Sequence, residues 1–178
     1  MNWVISNFKL KSFSMELNEL KFSTQEKKLI GRKLFVYQSI FNKIFRPYNP
    51  FYLHYTSKIV NGLNIEIVGT TSKNLKISLA SSPGLYIQAL SKIKIHSSVL
   101  IGPKVTIIST NHKKNDILSF EKISELSVSI GKNVWIGANS VILPNVKIGD
   151  NCVIGAGSIV TKSIDDGTTV AGNPAKVI

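Results

Sequence analysis

Three imidazoles, one thiol and a surplus of lysines are the groups with which this chain could do chemistry. His112 sits in ISTNHKKND (residues 108–116), where an aliphatic stretch gives way to a polar run. A free imidazole exchanges its proton near neutral pH, so an exposed one can take a proton from an attacking hydroxyl. It can equally be a surface histidine with no task. His54 and His96 are far from His112 in sequence, and no two histidines are closely spaced. A zinc site of three converging imidazoles is therefore unsupported, and no metal is expected. Cys152 falls where the surrounding pattern needs a small inward side chain, so packing is its expected role, and a lone thiol forms no disulfide within the chain.

The elements that must position these groups are announced by a repeat of six. Between residues 130 and 163, IGKNVWIGANSVILPNVKIGDNCVIGAGSIVTKS, aliphatics stand at 130, 136, 142, 148, 154 and 160, and Gly follows at 131, 137, 149 and 155. Three places after each aliphatic come Asn133, Asn139, Asn145, Asn151 and Gly157, the residue types that accept a left-handed backbone at least cost. One place further on stand Val134, Ser140, Val146, Cys152 and Ser158, small or β-branched. Short strands that turn every six residues cannot bury a face alone, so successive turns must stack into a β-solenoid.

Upstream the pattern weakens. The six-residue register runs from Ile59 through Ile65, Ile77, Ile95, Ile101 and Ile107, with Leu63, Leu75, Ile87, Ile93, Val99 and Val105 at a second inward place. Three further coils are expected there. Ile107 and Ile130 are 23 positions apart, not a multiple of six, so a polar, aperiodic loop is expected at about 113–123. Before the solenoid, Ser23 to Glu26 has capping-box spacing, and Leu29 or Ile30, Leu34, Tyr37, Phe41 and Ile44 recur at helical intervals. One helix over about 24–45 is expected, ending ahead of Pro47. The chain thus divides into an N-terminal helical segment, 1–50, and a solenoid, 51–178.

Side chains alternate along a strand, so the residue before each core aliphatic points outward, and residues 18 apart share a face. Val141 and Ile159 fall on one face, Trp135 and Val153 on a second, and Lys147 on a third. Two outward faces are apolar, which calls for a partner or ligand to cover them, and a three-sided prism closes most simply as a cyclic trimer.

These hexads resemble the hexapeptide-repeat acyltransferases, whose fold is a left-handed parallel β-helix with three hexads per coil. The closing AGNPAKVI, 171–178, is similar to the end of the maltose, galactoside and polysaccharide O-acetyltransferase branch. The resemblance covers about the last two fifths of the chain. It implies acetyl-coenzyme A as co-substrate, a homotrimer with active sites between subunits, and His112 as general base, since ISTNHKKND looks like the family's catalytic loop. It also places Trp135, Ala138, Ala156, Thr161, Lys162 and Lys176 along the coenzyme and Asn111 at the acceptor. Some relatives have Ser where this chain has Ala138. Gln88, Ala89 and Leu90 stand about where the galactoside and maltose enzymes carry an acceptor-binding Asp. The YIQA run (86–89) and IISTNH (107–112) look more like the polysaccharide-modifying branch. O-acetylation of a surface-glycan sugar or its precursor is therefore expected, with N-acetylation of an amino sugar, free or nucleotide-linked, as the alternative. The Gly-rich segment of serine acetyltransferases is absent. A non-enzymatic scaffold would explain the repeat but leave the Asn-His loop and the Thr-Lys pair without purpose.

Composition limits the remaining classes. The 178 residues are 43% apolar, enough for one core, and contain neither an 18-residue apolar run nor a signal-peptide pattern, so a cytoplasmic protein is expected. The formal charge is +12, and residues 1–58 hold ten Lys or Arg against Glu16, Glu19 and Glu26. Such a basic segment could meet nucleic acid, an anionic membrane, an acidic glycan or a phosphorylated co-substrate. Charge alone does not choose among them; no nucleic acid is expected, and association with a membrane surface stays open without support from the sequence.

Overall fold

The computed structural model describes residues 23–45, 51–69, 72–121 and 126–178. The first 22 residues of the N-terminal segment and the linker 46–50 lie outside the described residues, as do Thr70, Thr71 and residues 122–125. The described residues open with two helices, α1 (Thr24–Ile30) and α2 (Arg32–Phe45). The single expected helix is broken at Gly31, whose φ of +90° is a conformation no α-helix contains.

The rest is a three-sided stack of short strands. Its first coil contains β1 (Lys58–Val60), a 3₁₀ turn (Gly62–Asn64), β2 (Ile65–Val68) and a helix, α3 (Asn74–Ser81). Next come β3 (Tyr86–Gln88), β4 (Ile93–His96), β5 (Leu100–Ile101) and β6 (Thr106–Ile108). A β-hairpin follows, β7 (His112–Lys113) and β8 (Asp116–Phe120), and then β9 (Val128–Ile130). The repeat region supplies β10 (Trp135–Ile136), β11 (Val141–Ile142), β12 (Lys147–Ile148), β13 (Val153–Ile154) and β14 (Ile159–Val160). β15 (Thr169–Ala171) and β16 (Lys176–Val177) close the chain.

Three sheets form the sides of a prism, and every pair is parallel except β15 with β16. Sheet A runs β1-β3-β6-β11-β14, sheet B β2-β4-β9-β12, and sheet C β5-β10-β13-β15-β16. Within the repeat, partners are 18 residues apart: Ile136 pairs with Ile154, Ile142 with Val160 and Ile130 with Ile148. All six of these side chains are buried and interleave along the prism axis. Asn133, Asn139, Asn145 and Asn151 turn the corners at φ between 53° and 63°, and Gly157 does so at 71°. Each corner therefore holds a residue suited to left-handed backbone. Cys152 is fully buried and its Sγ donates to the Asp165 carbonyl at 3.1 Å.

Upstream the structure departs from the six-residue register. Leu75 and Ile77 lie on α3, not on strands, and Leu63 is exposed on the 3₁₀ turn. Ile87 belongs to the primary ladder, between Ile59 and Ile107. α3 takes the place of a first strand in sheet C. Serine hydroxyls of this helix and of the residue just after it cover the edge of β5: Ile101 N–H donates to Ser78 Oγ at 3.1 Å, and Ser82 Oγ donates to the Ile101 carbonyl at 2.7 Å. The expected aperiodic loop is the β7–β8 hairpin, and the solenoid resumes below it in register, Ile107 pairing with Ile142. The outward ladders fall as expected, with Trp135 between Leu100 and Val153 on sheet C, Val141 between Thr106 and Ile159 on sheet A, and Lys147 beside Ser129 on sheet B.

Candidate functional site

The hairpin leaves the prism at the corner between sheets A and B, and its first residue is His112. The imidazole is exposed and lies against the Phe120 ring, centroids 4.4 Å apart and planes tilted by 33°. The two residues face each other across the β7–β8 pair. At the base of the hairpin, Glu121 N–H donates to the Asn111 carbonyl at 2.9 Å. At its tip, Asp116 accepts hydrogen bonds from the Ser119 hydroxyl and from Leu118 N–H, which hold its carboxyl below the ordinary aspartate value.

What fixes the direction in which the hairpin departs is a clasp that the sequence did not reveal. Gln88 Oε1 accepts from Ser109 N–H at 3.2 Å and Thr110 N–H at 3.1 Å, while its Nε2 donates to the Thr110 carbonyl at 3.2 Å. Beside it, Ser91 N–H donates to Ser109 Oγ at 2.9 Å, and the buried hydroxyls of Ser91 and Thr110 meet at 2.8 Å. One amide thus meets three backbone groups of the two residues that precede Asn111, sharing Ser109 N–H with the Gln88 main-chain carbonyl at 3.0 Å. No motif signals this, because the partners are 21 and 22 residues apart.

The other expected residues divide between two edges of the prism. Thr161 and Lys162, both exposed, follow β14 at the same A-to-B corner that the hairpin leaves. Ala138 and Ala156 stack at the C-to-A corner, where Gly157 N–H donates to the Ala138 carbonyl at 2.8 Å and Asn139 N–H to the Pro103 carbonyl at 2.9 Å. The coils approach so closely there that a Cβ on Gly137 would lie 2.6 Å from Ala156 N. Trp135 is exposed on the adjoining face of sheet C, and Lys176, also exposed, ends that sheet on β16. Asn111, His112, Thr161 and Lys162 are therefore on one edge, and Trp135, Ala138, Ala156 and Lys176 around another. A single chain does not bring the two groups to one point.

The remaining histidines are occupied locally. His54 Nδ1 lies 2.9 Å from Thr56 Oγ1, and His96 Nδ1 lies 2.7 Å from Ser98 Oγ. Among the described residues, no group of three or more His, Cys, Asp or Glu could hold a metal ion. No described helix is long and apolar enough to cross a membrane.

Residues 127–162 match the family model described as bacterial transferase hexapeptide (six repeats). By its repeats, its corners and this match, the chain is a hexapeptide-repeat protein. Its structural neighbours are hexapeptide acyltransferases. A galactoside acetyltransferase solved in complex with coenzyme A is 33% identical, with a TM-score of 0.53 over 68% of this chain and 57% of that one. This chain thus spans little more than half the length of that relative. A maltose O-acetyltransferase from Clostridium difficile 630 is 26% identical, with a TM-score of 0.56 over 89% of this chain and 97% of that one. An N-acyltransferase from Bacillus cereus, solved with dTDP and coenzyme A, shares the fold at 21% identity and a TM-score of 0.50 over 71% of this chain and 78% of that one. No curated protein sequence matches the chain.

Proposed function

We propose that the protein is an acetyl-coenzyme A-dependent O-acetyltransferase that modifies a hydroxyl of a surface-polysaccharide sugar or its precursor, with His112 as general base. The observation that carries this reading is the 33% identity, over 68% of the chain, to a galactoside acetyltransferase that binds coenzyme A. The exposed His112 at the root of a braced hairpin supports it. The proposed solenoid is left-handed, as the resemblance implies.

In the proposed reaction an imidazole nitrogen of His112 accepts the proton of the sugar hydroxyl as its oxygen bonds to the thioester carbonyl carbon. The carbon–sulfur bond then breaks, and the imidazolium returns the proton to the departing thiolate. Acetyl ester and free thiol result, and His112 is regenerated. General-base catalysis of this kind contributes about 10² to 10⁴ in rate, or roughly 3 to 5 kcal/mol. The rest comes from holding donor and acceptor together.

The two groups of residues on separate edges support a homotrimer. In a cyclic trimer, the His112 edge of one subunit faces the Trp135 and Ala138 edge of the next, and the apolar ladders of sheets A and C are covered. The coenzyme then lies in the cleft, its thioester arm along Ala138 and Ala156 and its phosphates toward Lys162 and Lys176, while Asn111 contacts the acceptor.

The test is acetyl transfer from acetyl-coenzyme A to candidate glycans by His112→Ala and His112→Asn. Transfer should fall at least a hundredfold with melting and mass unchanged, because the side chain is exposed. Variants that retain most of the activity would remove His112 from this role, and a wild-type protein giving no binding heat with millimolar acetyl-coenzyme A would end the acyltransferase reading.

A further inference from the structure

Helix α2 is fixed to the solenoid by one side only. Phe35 stacks on Tyr52 with centroids 5.4 Å apart, Tyr52 Oη donates to the Phe35 carbonyl at 2.7 Å, and Asn42 Nδ2 donates to the Leu53 carbonyl at 2.9 Å. Gln38 is fully buried on the same side, and Ile30 at the end of α1 packs on Ala80 of α3. The opposite side is a stripe at four-residue spacing: Val36 is 58% exposed, Ile40 56% and Ile44 61%. Tyr37 flanks it, 56% exposed and edge-on to Tyr55 at 5.3 Å, and Leu29 of α1 is exposed as well. At 100° per residue, the exposed Lys33 and Lys43 fall within the same outward arc, and the exposed Lys28 stands beside Leu29 on α1, while the Lys27 ammonium lies over the Phe35 ring, 5.3 Å from its centroid. Among the described side chains, no carboxylate lies on this face.

The mixture decides between occupants. The buried centre of a protein–protein interface is depleted in lysine, because burying an ammonium ion without a partner is costly. A helix lying in the plane of an anionic bilayer needs this combination: aliphatics that enter the acyl boundary, an aromatic ring at headgroup depth, and lysines whose stems lie along the surface while their ammonium groups meet lipid phosphates. The face is also too short to span, and no described helix is long and apolar enough to do so.

We propose that the outward face of α1 and α2, built on Leu29, Val36, Tyr37, Ile40 and Ile44 with Lys28, Lys33 and Lys43, docks the protein on an anionic lipid surface. The interaction is peripheral and reversible. It is independent of the proposed chemistry, since none of these residues belongs to the candidate site.

The full chain is mixed with phosphatidylcholine vesicles with or without about one third phosphatidylglycerol and floated on a density gradient. The wild type should float with the anionic vesicles only, and raised salt should weaken this. Combined Val36→Ser, Ile40→Ser and Ile44→Ser substitutions should lower vesicle affinity at least tenfold. Combined Lys33→Gln and Lys43→Gln substitutions should lower it several-fold and flatten the salt dependence. Failure of the wild type to float, or equal flotation of the triple serine variant, would overturn the proposal. So would a lower solution mass of that variant without lipid, because a second copy would then be the natural cover of the face.

Discussion

Two glycines of the repeat should resist replacement by alanine for different reasons, and three substitutions separate them. At Gly137 a Cβ would stand 2.6 Å from Ala156 N, 2.8 Å from the Ile154 carbonyl oxygen and 2.9 Å from Ala156 Cα, where ordinary contact begins near 3.4 Å. All three atoms are backbone of the next coil, and Gly137 N–H itself donates to Ile154 O at 2.8 Å. No side chain can rotate away, so the coils must separate by most of an ångström and lengthen that ladder. Overpacking of this kind costs about 1 to 3 kcal/mol, and rigid neighbours put Gly137→Ala at about 3. For a chain of this length, that corresponds to a fall in Tm of roughly 6 to 12 °C. Gly157 has open space around its Cβ position but a φ of +71°. Gly157→Ala should cost about 1 to 2 kcal/mol from left-handed strain alone. Gly157→Asn should stay within about 0.5 kcal/mol of wild type, because Asn holds the same conformation at four other corners. Thermal unfolding by circular dichroism at one fixed protein concentration gives the comparison. A Gly137→Ala protein melting with the wild type, or Gly157→Asn as damaging as Gly157→Ala, would refute the reasoning.

The other predictions concern assembly and the site. Light scattering at micromolar concentration should give the mass of a trimer, and a monomeric mass would show that the ladders of Trp135 and Val141 are covered by something else. Replacing Lys162 and Lys176 together by Ala should raise KM for acetyl-coenzyme A several-fold to tens-fold with little change in kcat. Each exposed lysine contributes at most about 1 kcal/mol to phosphate binding, equally in ground and transition states. Gln88→Ala leaves Thr110 N–H without its acceptor, while Ser109 N–H keeps the Gln88 main-chain carbonyl at 3.0 Å, a cost of about 1 to 3 kcal/mol. It should reduce kcat at least tenfold while the coenzyme's binding heat is preserved, and unchanged kcat would reduce the clasp to a stability feature.

The repeat region was legible because each hexad states two physical requirements at once, an aliphatic for the core and an Asn or Gly for the corner. The 18-residue pairing of Ile136 with Ile154 follows from that spacing. The upstream half was not legible by the same rule, since its partners stand 28 apart at Ile65 and Ile93 and 35 apart at Ile95 and Ile130. Extending the six-residue phase through 74–81 hid a helical signal, the i, i+4 pair of Leu75 and Leu79, both buried on α3. The hairpin reads as a polar, aperiodic stretch because its aliphatics, Ile117 and Leu118, are adjacent and so show no alternation, and the structure leaves both exposed. His112 was visible as an exposed group beside an insertion. Phe120 and Gln88 were not, since their relation to it exists only after the strands have paired.

Ser78 on α3 and Ser82 just after it bear on assembly in the cell. A parallel ladder with a bare end is a template, and identical chains that meet end to end can continue it indefinitely into a fibre. In sheet C that route is shut at both ends. At one end Ser78 and Ser82 occupy the N–H and carbonyl of Ile101 that a newcomer's strand would need. At the other, β16 runs against the direction of β15, so it presents the wrong polarity for parallel growth. Polymerisation along this side is thus blocked by two hydroxyls and one reversed strand, and the flanks of the prism stay available for lateral, self-limiting contacts between copies.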